Sequence, residues 1–73
     1  MRPTPTPANG VARVANQLGF RFHHQEGSHQ TFKHPDGRRV IIAFHGSRDI
    51  PIGTLRKMVR DMGISVEQFN NLV

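Results

Sequence analysis

The sequence predicts an α+β domain: one helix, three antiparallel strands in a single sheet, a second helix and a short third one. Apolar residues recur at helical spacing before Gly19 and again after Pro51. Between them lie three short runs with strand alternation, punctuated by turn signals at Glu26-Gly27 and Pro35-Asp36-Gly37. Helices with apolar stripes must cover one face of such a sheet, and the other face is left to solvent.

Residues 1–7 alternate Pro with Arg or Thr and read as a flexible tail ahead of one domain at 8–73. In the first helix Val11, Val14, Ala15 and Leu18 fall at i, i+3, i+4 and i+7, with Thr6 or Asn9 available as its cap. Gly19 stands where a left-handed residue ends a helix. The strands follow as Phe20 to Gln25, a run around Thr31-Phe32-Lys33, and Arg39 to Phe44, which is rich in β-branched residues.

Loop length decides which strand residues share a face. A two-residue loop at Glu26-Gly27 would put Phe22 and Phe32 on opposite faces. A three-residue loop, Glu26-Gly27-Ser28, puts them together, and a three-residue loop at Pro35-Asp36-Gly37 pairs Phe32 with Val40. One face then carries Phe20, Phe22, Phe32, Val40, Ile42 and Phe44. The other carries Arg21, His23, Gln25, His29, Thr31, Lys33, Arg39, Ile41 and Ala43, a basic set with two imidazoles and no acid. His24 and His34 fall on or near the buried side.

The second helix begins near Asp49 or Pro51, with Asp49 as a candidate cap. Ile52, Leu55, Met58, Val59 and Met62 make its apolar stripe; Arg56, Lys57 and Arg60 lie towards the other side. Gly63 ends it. Ser65 and Gln68 then have capping-box spacing, with Ile64 placed to staple onto Phe69, at the start of a helix from Val66 to Leu72.

Composition narrows the function. A chain of 73 residues has no room for a large internal substrate cavity, and domains of this size are often stable by only ~3–5 kcal/mol. Any site therefore belongs on the surface. The absence of Cys excludes a disulfide framework and a thiol nucleophile, and it suits a reducing compartment, here the cytoplasm. A formal charge of +5 and a pI near 11.5 fit a nucleic-acid binder or the partner of an acidic protein. The longest apolar run, Val40 to Phe44, is far short of the ~20 residues of a membrane span, and the N-terminus has no apolar signal core.

The stretches Gly19-Phe20, Gly27-Ser28-His29, Phe32-Lys33-His34-Pro35-Asp36-Gly37-Arg38-Arg39, His45-Gly46 and Pro51-Ile52-Gly53-Thr54-Leu55-Arg56 together resemble the HicA toxin family. The resemblance runs from about Gly19 to Phe69. It implies a fold similar to double-stranded-RNA-binding domains, with the helix–three strands–helix order read above. It implies a messenger-RNA interferase, a toxin paired with a HicB antitoxin and associated with stress responses. It places the catalytic histidine at His29, within Gly-Ser-His. The chain departs from many members in its Pro-rich start and in having Gln30 where a second His is common.

Imidazole suits this chemistry because its ordinary pKa of ~6.5 makes both protonation states available near neutrality. One ring can take the 2′-hydroxyl proton, which restricts the substrate to RNA, and a second group must protonate the leaving 5′-oxygen. Arg21, Lys33 and Arg39 are the candidate phosphate ligands; His23 is a candidate RNA contact or acid partner, and more simply a surface imidazole. Gly27 and Ser28 support the turn before His29. Read without the resemblance, His29 is more simply a polar residue on a solvated strand face.

Five His within residues 23–45 also raise a metal site, but no Cys, Asp or Glu joins His23 and His29 on the assigned face, so no metal or cofactor is expected. Ser28 beside His29 does not make a hydrolase pair, because adjacent strand residues face opposite ways. Gly53-Thr54 lacks the surroundings of a phosphate loop. The sequence thus supports a metal-independent endoribonuclease acting on mRNA and silenced by a HicB-like protein, with no membrane association and no direct DNA binding. The alternatives are a non-catalytic RNA-binding module and a pure interaction domain whose basic face docks an acidic partner.

Overall fold

A computed structural model describes all 73 residues. Its elements are α1 (Ala8–Gln17), β1 (Arg21–Glu26), β2 (His29–Lys33), β3 (Arg39–Ala43), α2 (Ile52–Asp61) and α3 (Val66–Leu72). The strands form one antiparallel sheet in the order β1-β2-β3. This is the α-β-β-β-α layout of double-stranded-RNA-binding domains, as expected.

The helices cover one face of the sheet. Val11, Val14 and Ala15 of α1, Leu55, Met58 and Val59 of α2, and Phe69 of α3 join Phe20, Phe32, Val40, Ile42 and Met62 in one buried cluster. Phe22 lies on this face too, but β1 is an edge strand beyond the helices and Phe22 stays 55 % exposed. Phe20 anchors the cluster. It is fully buried, with the His34 ring edge-on at 5.1 Å and the Arg38 guanidinium 5.2 Å from its centroid. Truncating it to Ala costs ~3–5 kcal/mol, as much as the whole stability expected of a domain this small.

The helix ends are set largely by backbone. The N–H groups of Gly19 and Phe20 donate to Asn16 and Ala15, and those of Gly63 and Ile64 to Arg60 and Val59, so α1 and α2 both close with Schellman geometry. Gly19 has φ +100°, and a Cβ there would stand 2.9 Å from His34 Nε2, so a larger residue would strain the backbone and displace the His34 ring. The Ser65–Gln68 capping box is present at α3. The candidate caps Thr6, Asn9 and Asp49 are not used: Pro7 and Pro51 occupy the N-cap positions, without side-chain capping bonds.

The turns settle the register. The β2–β3 loop has the expected Pro35-Asp36-Gly37 core, closed by His34 N–H donating to Arg38 O at 2.9 Å, and Phe32 pairs with Val40. The β1–β2 loop differs from expectation. Glu26 pairs with His29, so the loop is the two residues Gly27 and Ser28. Gly27 has φ +57° and Ser28 is not in the positive-φ region, the combination a II′ hairpin turn requires. Unbroken pairing from that turn would bring Phe22 onto the wrong face. A bulge at His23 restores it: Phe22 pairs with Phe32, and His24, one residue past the bulge, pairs with Thr31.

Residues 1–7, expected as a flexible tail, lie against the body of the domain. Pro3 and Thr6 are buried. The Thr4 N–H donates to Asn70 Oδ1 at 2.7 Å, Asn70 Nδ2 donates to Arg2 O at 3.1 Å, and Ile50 N–H donates to Thr6 O at 3.0 Å. A Cβ on Gly10 would meet Thr6 Cγ2 at 2.5 Å. Gly→Ala inside a helix ordinarily stabilises by ~0.5–1 kcal/mol. With this segment docked, Gly10→Ala is expected to lower the melting temperature; a rise would mean that the segment leaves α1 free.

The Pro35-Asp36-Gly37 turn carries the one strongly shifted acid. Hydrogen bonds from the Arg38 side chain, then from its backbone N–H, lower the Asp36 pKa from 3.8 to about 2, against a small opposing effect of desolvation. A depressed carboxyl contributes stability above its unfolded pKa and loses it as pH falls towards the folded value. Thermal melts of wild type and Asp36→Asn should therefore differ most above about pH 4 and converge as pH approaches 2; a constant gap would show that the ion pair adds nothing.

Candidate nucleic-acid interface

The open face is a grid of three cross-strand rows. Glu26, His29 and Ala43 form the first, His24, Thr31 and Ile41 the second, and Arg21, Lys33 and Arg39 the third. His29 is exposed on the central strand and held from both sides. The preceding Ser28 carbonyl also accepts a 2.8 Å bond from the Phe44 N–H. The backbone under His29 is therefore fixed by strand pairing, whereas its side chain is exposed.

The two-residue turn changes the composition of this face. Gln25, expected here, turns to the helix side, where its Oε1 accepts from Gln30 Nε2 at 3.2 Å. His24, expected near the buried side, lies on the open face opposite Thr31. Glu26 joins it directly opposite His29, so the face is not free of acid. His24 Nε2 is 3.6 Å from Glu26 Oε1, with side chains 51 % and 87 % exposed, a contact open to water and hence weak. His23 occupies the bulge itself, its ring 5.3 Å from that of His24 in an edge-to-face arrangement.

The cationic row stands apart from His29. Lys33 is four residues along β2, ~13 Å at the strand rise. Lys33 and Arg39 are exposed and line a shallow depression with His34, Gly37 and Arg38. Arg21 is partly committed elsewhere: its Nη1 donates to Asn16 O at 3.1 Å and Phe20 O at 2.8 Å, at the end of α1. The three cations therefore stand two rows away from His29 on the open face. Beside His29, Ala43 borders a second depression with His45, Arg48, Asp49, Ile50 and Pro51.

His34 has a structural position. Its Nε2 is 3.0 Å from Leu18 O, and its Nδ1 accepts from the Asp36 N–H at 3.1 Å, which ties the β2–β3 hairpin to the end of α1. No group of three or more His, Cys, Asp or Glu side chains is placed to hold a metal ion. Arg56, Lys57 and Arg60 are exposed on α2, with Lys57 paired to Asp61 at 2.8 Å.

Sequence reasoning missed His24 and Glu26. The signal was available: a two-residue Gly-X loop at Gly27-Ser28 reads as a II′ turn, and keeping both Phe22 and Phe32 inward from that turn requires one extra residue in a strand.

Fold and face together define a small α+β protein of double-stranded-RNA-binding layout with a basic, histidine-bearing open sheet. Residues 9–64, over three quarters of the chain, match the family model described as HicA toxin of bacterial toxin-antitoxin. The chain belongs to the HicA toxin family. A search of curated proteins finds no match. No helix is long and apolar enough to cross a membrane.

Proposed function

We propose that the protein is a metal-independent endoribonuclease that cleaves mRNA and is silenced by a HicB-like antitoxin. The observation that carries this reading is His29: the histidine of the Gly27-Ser28-His29 motif stands exposed on a rigid central strand, on the sheet face that no helix covers. Its imidazole removes the 2′-hydroxyl proton, so RNA is the substrate and DNA is not. Lys33 and Arg39, with Arg21 and His23 beside them, hold the RNA backbone. Gly27 and Ser28 fix the strand end from which His29 projects. Proton transfer comes from side chains on this face, so cleavage is expected to persist in EDTA.

An antitoxin that covers this face blocks the base and the phosphate sites together. The net charge of +5 favours an acidic covering surface. The same charge balance fits work in the cytoplasm, where mRNA is a polyanion within reach.

His29→Ala should fold normally, bind RNA, and lose at least ~10²-fold in cleavage together with its growth arrest on expression. Growth arrest undiminished in that variant would sink the nuclease reading; tight binding with no cleavage by the wild type would favour a binding module. Lys33→Ala and Arg39→Ala should each weaken RNA binding and flatten the log–log salt dependence by ~0.7 per lost phosphate contact. An unchanged slope would remove those two side chains from the interface.

A further inference from the structure

We infer that His24 is the general acid partner of His29, with Glu26 as a positioning residue between them. The inference rests on the nuclease reading and extends it to the second proton transfer. The register supplies the geometry. His24 sits opposite Thr31, and Glu26 opposite His29, so His24 and His29 are diagonal neighbours on the open face. Such neighbours lie ~7–8 Å apart at the backbone, a span across which two rings can flank a single phosphodiester. Glu26 belongs to both relations: it is cross-strand from His29 and its Oε1 is 3.6 Å from His24 Nε2.

The chemistry balances with these two rings. His29 takes the proton from the 2′-hydroxyl, and the 2′-oxygen forms a bond to phosphorus. The bond from phosphorus to the 5′-oxygen breaks, and that oxygen takes the proton of the His24 imidazolium. The products are a 2′,3′-cyclic phosphate and a 5′-hydroxyl. His29 ends protonated and His24 neutral, and exchange with water resets both. Thr31, cross-strand from His24 and two residues along β2 from His29, is only 7 % exposed. His23 has no strand partner in the ladder. Arg21 and Arg39 do not give up a proton, and Lys33 stands four residues, ~13 Å, from His29 along β2.

A bridging sulfur in place of the leaving 5′-oxygen tests the assignment. A thiol ionises near pH ~8.5, so a thiolate departs without a proton donor. The probe is an oligoribonucleotide that the wild type cleaves, prepared with oxygen or with sulfur at the cleaved bond; circular dichroism checks each variant's fold. His29→Ala should lose ~10²–10⁴-fold on both substrates. His24→Ala should lose as much on the oxygen substrate and come within about tenfold of wild type on the sulfur one. Glu26→Gln should lose no more than about tenfold on the oxygen substrate, since an exposed ion pair is worth little.

Several results would overturn the assignment: no loss in His24→Ala, a loss that sulfur does not relieve, or sulfur rescue in His23→Ala or Glu26→Gln instead. Sulfur rescue of His29→Ala would reverse the two roles and equally contradict it. A wild type that cleaves neither substrate would overturn the nuclease reading, and this inference would fall with it.

Discussion

The site depends on parity. A sheet with helices on one side has one face to bury, and each residue inserted or removed ahead of a strand moves every later side chain to the other face. Here the β1–β2 turn is even, two residues, and would by itself send Phe22 away from Phe32. One extra residue, His23, cancels the error. Turn and bulge therefore act as a pair: the two-residue turn sets His24 and Glu26 outward, next to His29, and the bulge returns Phe22 to the face of Phe32. Bulges are frequent beside functional sites because they re-aim side chains locally without disturbing the rest of a sheet.

The histidines divide accordingly. His34 is held between the Leu18 carbonyl and the Asp36 N–H, edge-on to Phe20, and serves the fold. Arg38 completes the same knot by bonding Asp36 and the Met62 carbonyl while lying over Phe20. The His-Pro-Asp-Gly segment is thus the clasp between hairpin and helices. His29, His24 and His23 stand on the other side of the sheet or at its bulge, where solvent and a polyanion have access. Chemically identical rings are sorted into structural and solvent-facing ones by which face the backbone gives them.

Much of this was legible in the sequence. Helical spacing located α1 and α2, Gly19 and Gly63 marked their ends, and Ser65 with Gln68 marked the start of α3. Phe32 opposite Val40 followed from the Pro35-Asp36-Gly37 loop. His29 on the open face followed from the alternation of β2, whichever β1–β2 turn was chosen. The face of β1 beyond Phe22 was not legible in the same way, because a three-residue loop and a two-residue loop with a bulge bring Phe22 to the same partner while reversing His24, Gln25 and Glu26. The docking of residues 1–7 escaped for another reason: it depends on Asn70, more than sixty residues away, and on the missing Cβ of Gly10, neither of which leaves a periodic signal.

The most direct test of the account is the interstrand contact pattern of β1 and β2, read by nuclear Overhauser effects in isotopically labelled protein. The bulged register gives cross-strand contacts of Glu26 with His29 and of His24 with Thr31. Contacts of Gln25 with His29 and of His23 with Thr31 would instead mean an unbroken ladder closed by a three-residue loop. That result would turn His24 and Glu26 away from His29.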